Sequence, residues 1–173
     1  EQILRIEKFA NTMKEINYLE EIRPTKSCID SCTIEKKTRK ILEMLADKGK
    51  KNYKVSYQCD ISEMYLDLNI YLEIVENVVA NAVRFANRKI SAELYSNKNQ
   101  LYVIICDDGP GFKQQEIDKA TKPYYHGGDL EETHYGMGLY ISDVLCRKHG
   151  GKLILSNLTS GGACVKIIFE NVK

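Results

Sequence analysis

The chain has 173 residues, 43% of them apolar, with 25 basic and 24 acidic side chains and a formal charge of +1. That length supports one substantial core plus an appendage. The near-zero charge excludes the broad field that draws a protein onto nucleic acid or an acidic membrane, so an anionic ligand has to be held locally. No apolar run approaches the roughly 18 residues of a membrane span, and no charged-then-apolar leader opens the chain. It begins at Glu1 rather than methionine, as expected of a fragment or a processed product. The six cysteines, Cys28, Cys32, Cys59, Cys106, Cys146 and Cys164, show no CxxC spacing and are expected to be reduced thiols, three of them (Cys59, Cys106, Cys164) serving as small hydrophobes in apolar runs. Cys28 and Cys32 lack the second pair or nearby histidine that a four-ligand metal site requires.

In chain order, Ile3, Ile6, Met13, Ile16, Leu19 and Ile22 make one apolar stripe at helical spacing until Pro24, a helix built to pack against others and expected to form a dimer contact. Residues 24–30 read as a linker. A second helix starts near Ser31 to Thr33, with Ile34, Ile41, Leu42 and Leu45 on its face, and ends at Gly49. "YKVSYQC" alternates Val55, Tyr57 and Cys59 as a half-buried strand does. The longest helix is expected from about Leu68 to Arg88, with Leu72, Val75, Val79, Ala82, Val83 and Ala86 along its buried side. "ISAELYS" and "LYVIICDD" are strands joined by the turn "NKNQ". A long polar loop follows, then a helix from Gly138 stopped by Gly150 and Gly151, then a hairpin of "KLILSN" and "ACVKIIFE" closed by "LTSGG". This order predicts an α/β two-layer sandwich with a mostly antiparallel sheet covered by helices on one face.

Two glycine turns bracket the polar loop. Asp107 and Asp108 end a strand, and Gly109 and Gly111 let the chain turn with no side chain obstructing a flat ligand; a carboxylate there can accept a hydrogen bond from an exocyclic amine. At the far side Gly136 and Gly138 lead into a helix whose free N–H groups favour a phosphate. Glycine turns alone are weak evidence of nucleotide binding. "ENVVANAVRF" adds Asn77 and Asn81, four apart on one side of an otherwise apolar helix, with Arg84 one turn beyond. The two amides are either buried groups bonded to backbone or neutral oxygen ligands for a Mg²⁺ that also grips phosphates.

Taken together these segments resemble the ATP-binding catalytic domain of sensor histidine kinases, within the wider gyrase, chaperone and mismatch-repair ATPase group. "ENVVANAVRF" is similar to that family's N box, "DDGPGF" to its first glycine box, "KPYY" to its aromatic box and "GMGLYISDVLCRKHGG" to its second glycine box, in the family's order. Residues 1–23 resemble the second helix of a dimerisation hairpin, residues 31–173 the catalytic domain, and residues 112–135 its ATP lid, a length at which loops in compact domains are usually functional. The resemblance implies that Asp107 recognises adenine N6, that Asn77 and Asn81 organise Mg²⁺, and that Arg84 contacts phosphate. Phe85 falls against the adenine, and Gly109, Gly111, Tyr124, Tyr125, Gly136, Met137, Gly138 and Leu139 complete the nucleotide site. Two positions depart from the family's pattern: His134 stands where a further glycine is usual, and His126 where an arginine often follows the aromatic box. His149 reads as structural, leading into the glycine stop.

The implied activity is transfer of the γ-phosphoryl group of Mg-ATP to a histidine on a dimerisation helix absent from this sequence. The implied partners are histidine-phosphotransfer helices, a cognate response regulator and, in the parent, a second copy; nucleic acid is not expected, and a cytoplasmic setting is. Two alternatives stand beside this. One is a nucleotide-binding scaffold without phosphotransfer. The other is a hydrolase of the gyrase or mismatch-repair type, against which an amide at Asn77 cannot take a proton from water as a general base.

Overall fold

The computed structural model of the chain describes residues 19, 21–97, 99–113, 117, 119–122 and 137–171. Ten elements follow in order: β1 (Ser27–Asp30), α1 (Ser31–Lys48), β2 (Asn52–Cys59), β3 (Glu63–Leu66), α2 (Leu68–Phe85), β4 (Lys89–Asn97), β5 (Gln100–Asp107), α3 (Gly138–Lys148), β6 (Lys152–Asn157) and β7 (Ala163–Glu170). Five strands form the main sheet in the order β2-β4-β5-β7-β6, with β2 and β4 parallel and the other pairs antiparallel. This is the two-layer sandwich expected from the sequence.

Local chemistry sets the helix starts. Asp30 caps α1 by accepting the Thr33 N–H at 2.8 Å, and Asp67 caps α2 by accepting from Asn69 and Ile70. On α2 the residues Ile70, Ile74, Val75, Val78, Val79 and Ala82 are buried, a stripe wide enough to lie on a sheet. The sheet answers with period-two burial: in β5, Leu101, Val103, Ile105 and Asp107 are buried while Tyr102, Ile104 and Cys106 face the other way, half-exposed. Helices and inward strand residues share one core. The Tyr71 ring packs 5.3 Å from Phe169, whose other neighbour is His149 at 5.2 Å, edge-on. His149 is buried and its Nε2 accepts the Asp67 N–H at 2.9 Å, the structural role expected of it.

The structure departs from the sequence reading in three places. Residues 27–30, expected as linker, form β1 and pair antiparallel with β3, a strand of four residues too short to show alternation in the sequence. The long helix ends at Phe85 rather than near Arg88, because Ala86 adopts extended backbone (φ −56°, ψ 139°). Cys106 and Cys164 are joined as a disulfide with Cα atoms 4.1 Å apart, so the expectation of six free thiols is corrected. The cause is register: the two face each other directly across β5 and β7 on the uncovered side of the sheet, whereas Cys28, Cys32, Cys59 and Cys146 take no part in a disulfide. The helix expected over residues 3–22 is not among these departures: apart from Leu19, Glu21 and Ile22 it lies outside the described residues, and Leu19 is buried against the core.

Candidate nucleotide site

The site is built along one flank of α2. Asn77 and Asn81 lie one turn apart and half-buried; Arg84 and Phe85 follow at the exposed end. No hydrogen bond joins either amide to another described residue. The two glycine turns meet opposite ends of this flank. Gly109 packs against the helix end so closely that a Cβ there would lie 2.3 Å from the Phe85 carbonyl oxygen, and Gly138 faces the other end, where a Cβ would stand 3.9 Å from Asn77 Oδ1. Between Asn77 and Phe85 the helix rises about 12 Å, a span suited to a nucleoside with its phosphates.

At the Gly109 end, Asp107 is 7% exposed. Its Oδ1 accepts the Gly109 N–H at 2.8 Å and the Ala163 N–H at 3.4 Å, while Oδ2 receives no donor from a described residue. Burial pushes this carboxyl above the ordinary aspartate range, against the two backbone donors, with neighbouring Asp108 adding to the rise. The result is a fixed, desolvated acceptor with one oxygen to spare. Asp108 does something different. Its Oδ1 accepts the N–H groups of Arg88 and Lys89, both at 2.9 Å, which hold its carboxyl below the usual range; it ties the turn to the start of β4. The alternation of β5 separates the two acids. Phe85 is exposed with the Arg84 guanidinium 5.0 Å from its ring centre, so a flat apolar face and a cation sit together at the helix end.

At the other end α3 starts at Gly138 with Met137 as its cap. No side chain caps it and no acid lies in its first turn, so its leading N–H groups suit an anion. Met137 is buried and Leu139 is packed against the core, anchoring that terminus. Gly111 has φ +78°, a backbone state that glycine adopts without strain. Tyr124, Tyr125 and Gly136, and the residues of 112–135 other than 112–113, 117 and 119–122, lie outside the described residues.

No group of three or more His, Cys, Asp or Glu among the described residues is placed to hold a metal ion. Two neutral amide oxygens on one helix face do fit Mg²⁺, which keeps most of its waters and takes its remaining ligands from phosphates. A cavity of about 530 Å³ sits at the same end of the sheet and shares Asp107 and Gly109, but its lining of Lys54, Ser91 and Cys106 belongs to the uncovered face and it includes none of Asn77, Asn81, Arg84 or Phe85. The candidate site follows the α2 flank rather than that cavity. Sequence reading missed the β6–β7 hairpin tip as part of it: a Cβ on Gly162 would lie 1.9 Å from the Asp107 carbonyl oxygen. Its only signal was the Gly-Gly pair, which also suits an ordinary turn.

Comparison with known proteins bears on the family and the fold. Residues 67–172 match the Histidine kinase-, DNA gyrase B-, and HSP90-like ATPase family, and the chain belongs to that family. It is 26% identical over 146 residues to the sensor histidine kinase SpaK of Bacillus subtilis, covering 80% of this chain and 32% of that protein. It is 29% identical over 130 residues to the nisin biosynthesis sensor protein NisK of Lactococcus lactis subsp. lactis, covering 70% of this chain and 28% of that one. The chain thus spans about a third or less of the length of these relatives. Its fold is shared with solved structures: full-length ShkA in complex with AMPPNP superposes with a TM-score of 0.79 at 17% identity, over 97% of this chain and 36% of that one. The Acinetobacter baumannii histidine kinase AdeS superposes with a TM-score of 0.75 at 17% identity, over 99% of this chain and 81% of that one. No helix among the described residues is long and apolar enough to cross a membrane.

Proposed function

We propose that this chain is the catalytic domain of a two-component sensor histidine kinase, which binds Mg-ATP along the Asn77–Phe85 flank and passes the γ-phosphoryl group to an imidazole nitrogen of a histidine on a dimerisation helix. In this reading Asp107 accepts the adenine N6 amine on its spare oxygen, Phe85 lies against the base, and Arg84 faces phosphate. Asn77 and Asn81 supply oxygens to Mg²⁺, which when bound neutralises phosphate charge. Gly136, Gly138 and the α3 N-terminus line the phosphate side, and residues 112–135 with Tyr124 and Tyr125 act as lid. Catalysis is then positioning and charge stabilisation around the transferring group. The chain would sit in the cytoplasm, with residues 1–23 completing a dimerisation hairpin and a response regulator receiving the phosphoryl group. The observation that carries the proposal is the pair of half-buried amides on α2, neither bonded to a described residue, with Gly109 at the Phe85 end of their flank and Gly138 at the Asn77 end.

Residues 1–22 contain no histidine, and His149, one of three in the chain, is buried with Nε2 engaged. The test is incubation of the purified chain with radiolabelled ATP and Mg²⁺, alone and with a histidine-bearing dimerisation hairpin from the same parent. Acid-labile, base-stable label is expected on the hairpin only. ATP binding without labelling of the hairpin would instead identify a nucleotide-binding scaffold, and strong labelling of the chain alone would place the acceptor within it.

A further inference from the structure

The β6–β7 hairpin holds the turn from Asp107 to Phe112 at two points. At the first, the Ala163 N–H reaches Asp107 Oδ1 at 3.4 Å. At the second, Asn157, the last residue of β6, engages both sides of the Phe112 backbone: the Phe112 N–H donates to Asn157 Oδ1, and Asn157 Nδ2 donates to the Phe112 carbonyl oxygen, each at 2.7 Å. The orientation of the amide is fixed by chemistry, since only its oxygen can accept an N–H and only its nitrogen can donate to a carbonyl. One side chain thereby makes the reciprocal pair of bonds that a strand residue makes with an antiparallel partner. Asn157 and Ala163 are themselves register partners, so the two anchor points keep a fixed separation. Between them, Gly111 is fitted to the clamp: a Cβ on it would stand 2.8 Å from Asn157 Oδ1. The hairpin tip is braced in turn by Leu158 N–H to Gly162 oxygen and Gly161 N–H to Leu158 oxygen, both 3.0 Å.

Asn157 is exposed and lies outside the core cluster, so its amide has water as an alternative partner and the core does not depend on it. What depends on it is the path of the backbone between the carboxylate of Asp107 and Phe112. We infer that Asn157 is a positioning residue for adenine recognition: by clamping Phe112 it fixes the turn that presents Asp107 and Gly109 to the base. The inference rests on the reading that Asp107 receives the adenine. Because the clamp acts on the base end, its loss affects every adenine ligand equally, whatever its phosphates.

The test compares the chain with Asn157→Ala and Asn157→Asp. Calorimetric titration with adenosine, ADP and Mg-ATP is combined with amide hydrogen exchange at Phe112 and with thermal unfolding. Both variants should stay folded, exchange faster at Phe112, and bind all three ligands more weakly by one common factor of roughly 3 to 10. Asn157→Asp keeps the acceptor for the Phe112 N–H but sets a carboxylate oxygen against the Phe112 carbonyl, so it should bind no better than Asn157→Ala; a space-filling role would instead be rescued by this isosteric change. Unchanged affinity in the folded variants, a loss confined to Mg-ATP, or wild-type binding by Asn157→Asp would each overturn the inference while leaving Asp107 as base acceptor. Failure of the unaltered chain to bind any of the three would overturn the Asp107 reading, and this inference with it.

Discussion

Replacing Asp107 by asparagine tests the base end of the site with little disturbance of the fold. The amide retains an oxygen for the Gly109 and Ala163 N–H groups, now held by Oδ1, but puts an NH₂ group where the spare carboxylate oxygen stood. An adenine N6 amine would then face a donor instead of an ionised acceptor. A hydrogen bond to a charged partner contributes roughly 1.5–3 kcal/mol, so the dissociation constant for ATP should rise about 10- to 100-fold, toward the upper end because the acceptor is buried. Stability should move the other way. Burial raises the folded-state carboxyl above its ordinary value of 3.8, so the group favours folding below that value and loses the contribution as pH rises through the folded value. At neutral pH the ionised Asp107 opposes folding, and Asp107→Asn should be at least as stable as the parent. Binding carries its own pH signature: the parent should lose affinity as pH falls through the raised carboxyl value, before an ordinary aspartate would protonate, and Asp107→Asn should lack that component. Calorimetric titration across pH, with thermal unfolding of both proteins, reads all three outcomes. A dissociation constant for the folded variant within twofold of the parent's would refute the assignment.

Asn81→Ala should abolish most of the enhancement of ATP binding by Mg²⁺ while leaving metal-free binding nearly intact; a full Mg²⁺ enhancement in the variant, measured by titration with and without chelator, would make Asn81 a packing residue. Burial, with nearby Lys26 adding to it against Asp67, pushes His149 down to about 4 from an ordinary 6.5. The folded state therefore resists the proton that the unfolded chain takes up, and stability present above about pH 6.5 should be lost progressively as pH falls toward 4, by roughly 3 kcal/mol in all. Urea unfolding of the parent and of His149→Gln over that range should show the parent losing the extra stability, and parallel curves would count against a buried neutral imidazole.

The parts of the fold that the sequence displayed were those written in contiguous periodic segments. The apolar stripe of α2 and the alternation of β5 each span at least two full periods, so both could be read without knowing what they pack against. β1 and β3 could not, because a pair of four-residue strands has no period to recognise and owes its existence to pairing across the 32 residues between Asp30 and Glu63. The same limit hid the disulfide. Each of Cys106 and Cys164 looks like a small apolar residue in its own strand; only the β5–β7 register, between positions 58 apart, puts them opposite one another. In the site, Asn77, Asn81, Arg84 and Phe85 were legible because one helix carries them at its own repeat. Asn157 was not, since nothing in "KLILSN" distinguishes a clamp from a strand end.

The donor set of the site also bears on how a triphosphate would be held. A chain of formal charge +1 has no general field to attract ATP, and two amides add no charge of their own. The positive character on the described flank comes from the Arg84 guanidinium at one end and the uncapped N-terminus of α3 at the other. A helix terminus contributes about half a charge and fades within a turn. The two amides nevertheless offer oxygens to an ion that already carries phosphate ligands. In the proposed reading metal and nucleotide bind as one unit, and the buried carboxylate, with the hairpin that holds its turn in place, selects adenine. Affinity would then fall only modestly with added salt, because the desolvated Asp107 contact is screened far less than a surface charge.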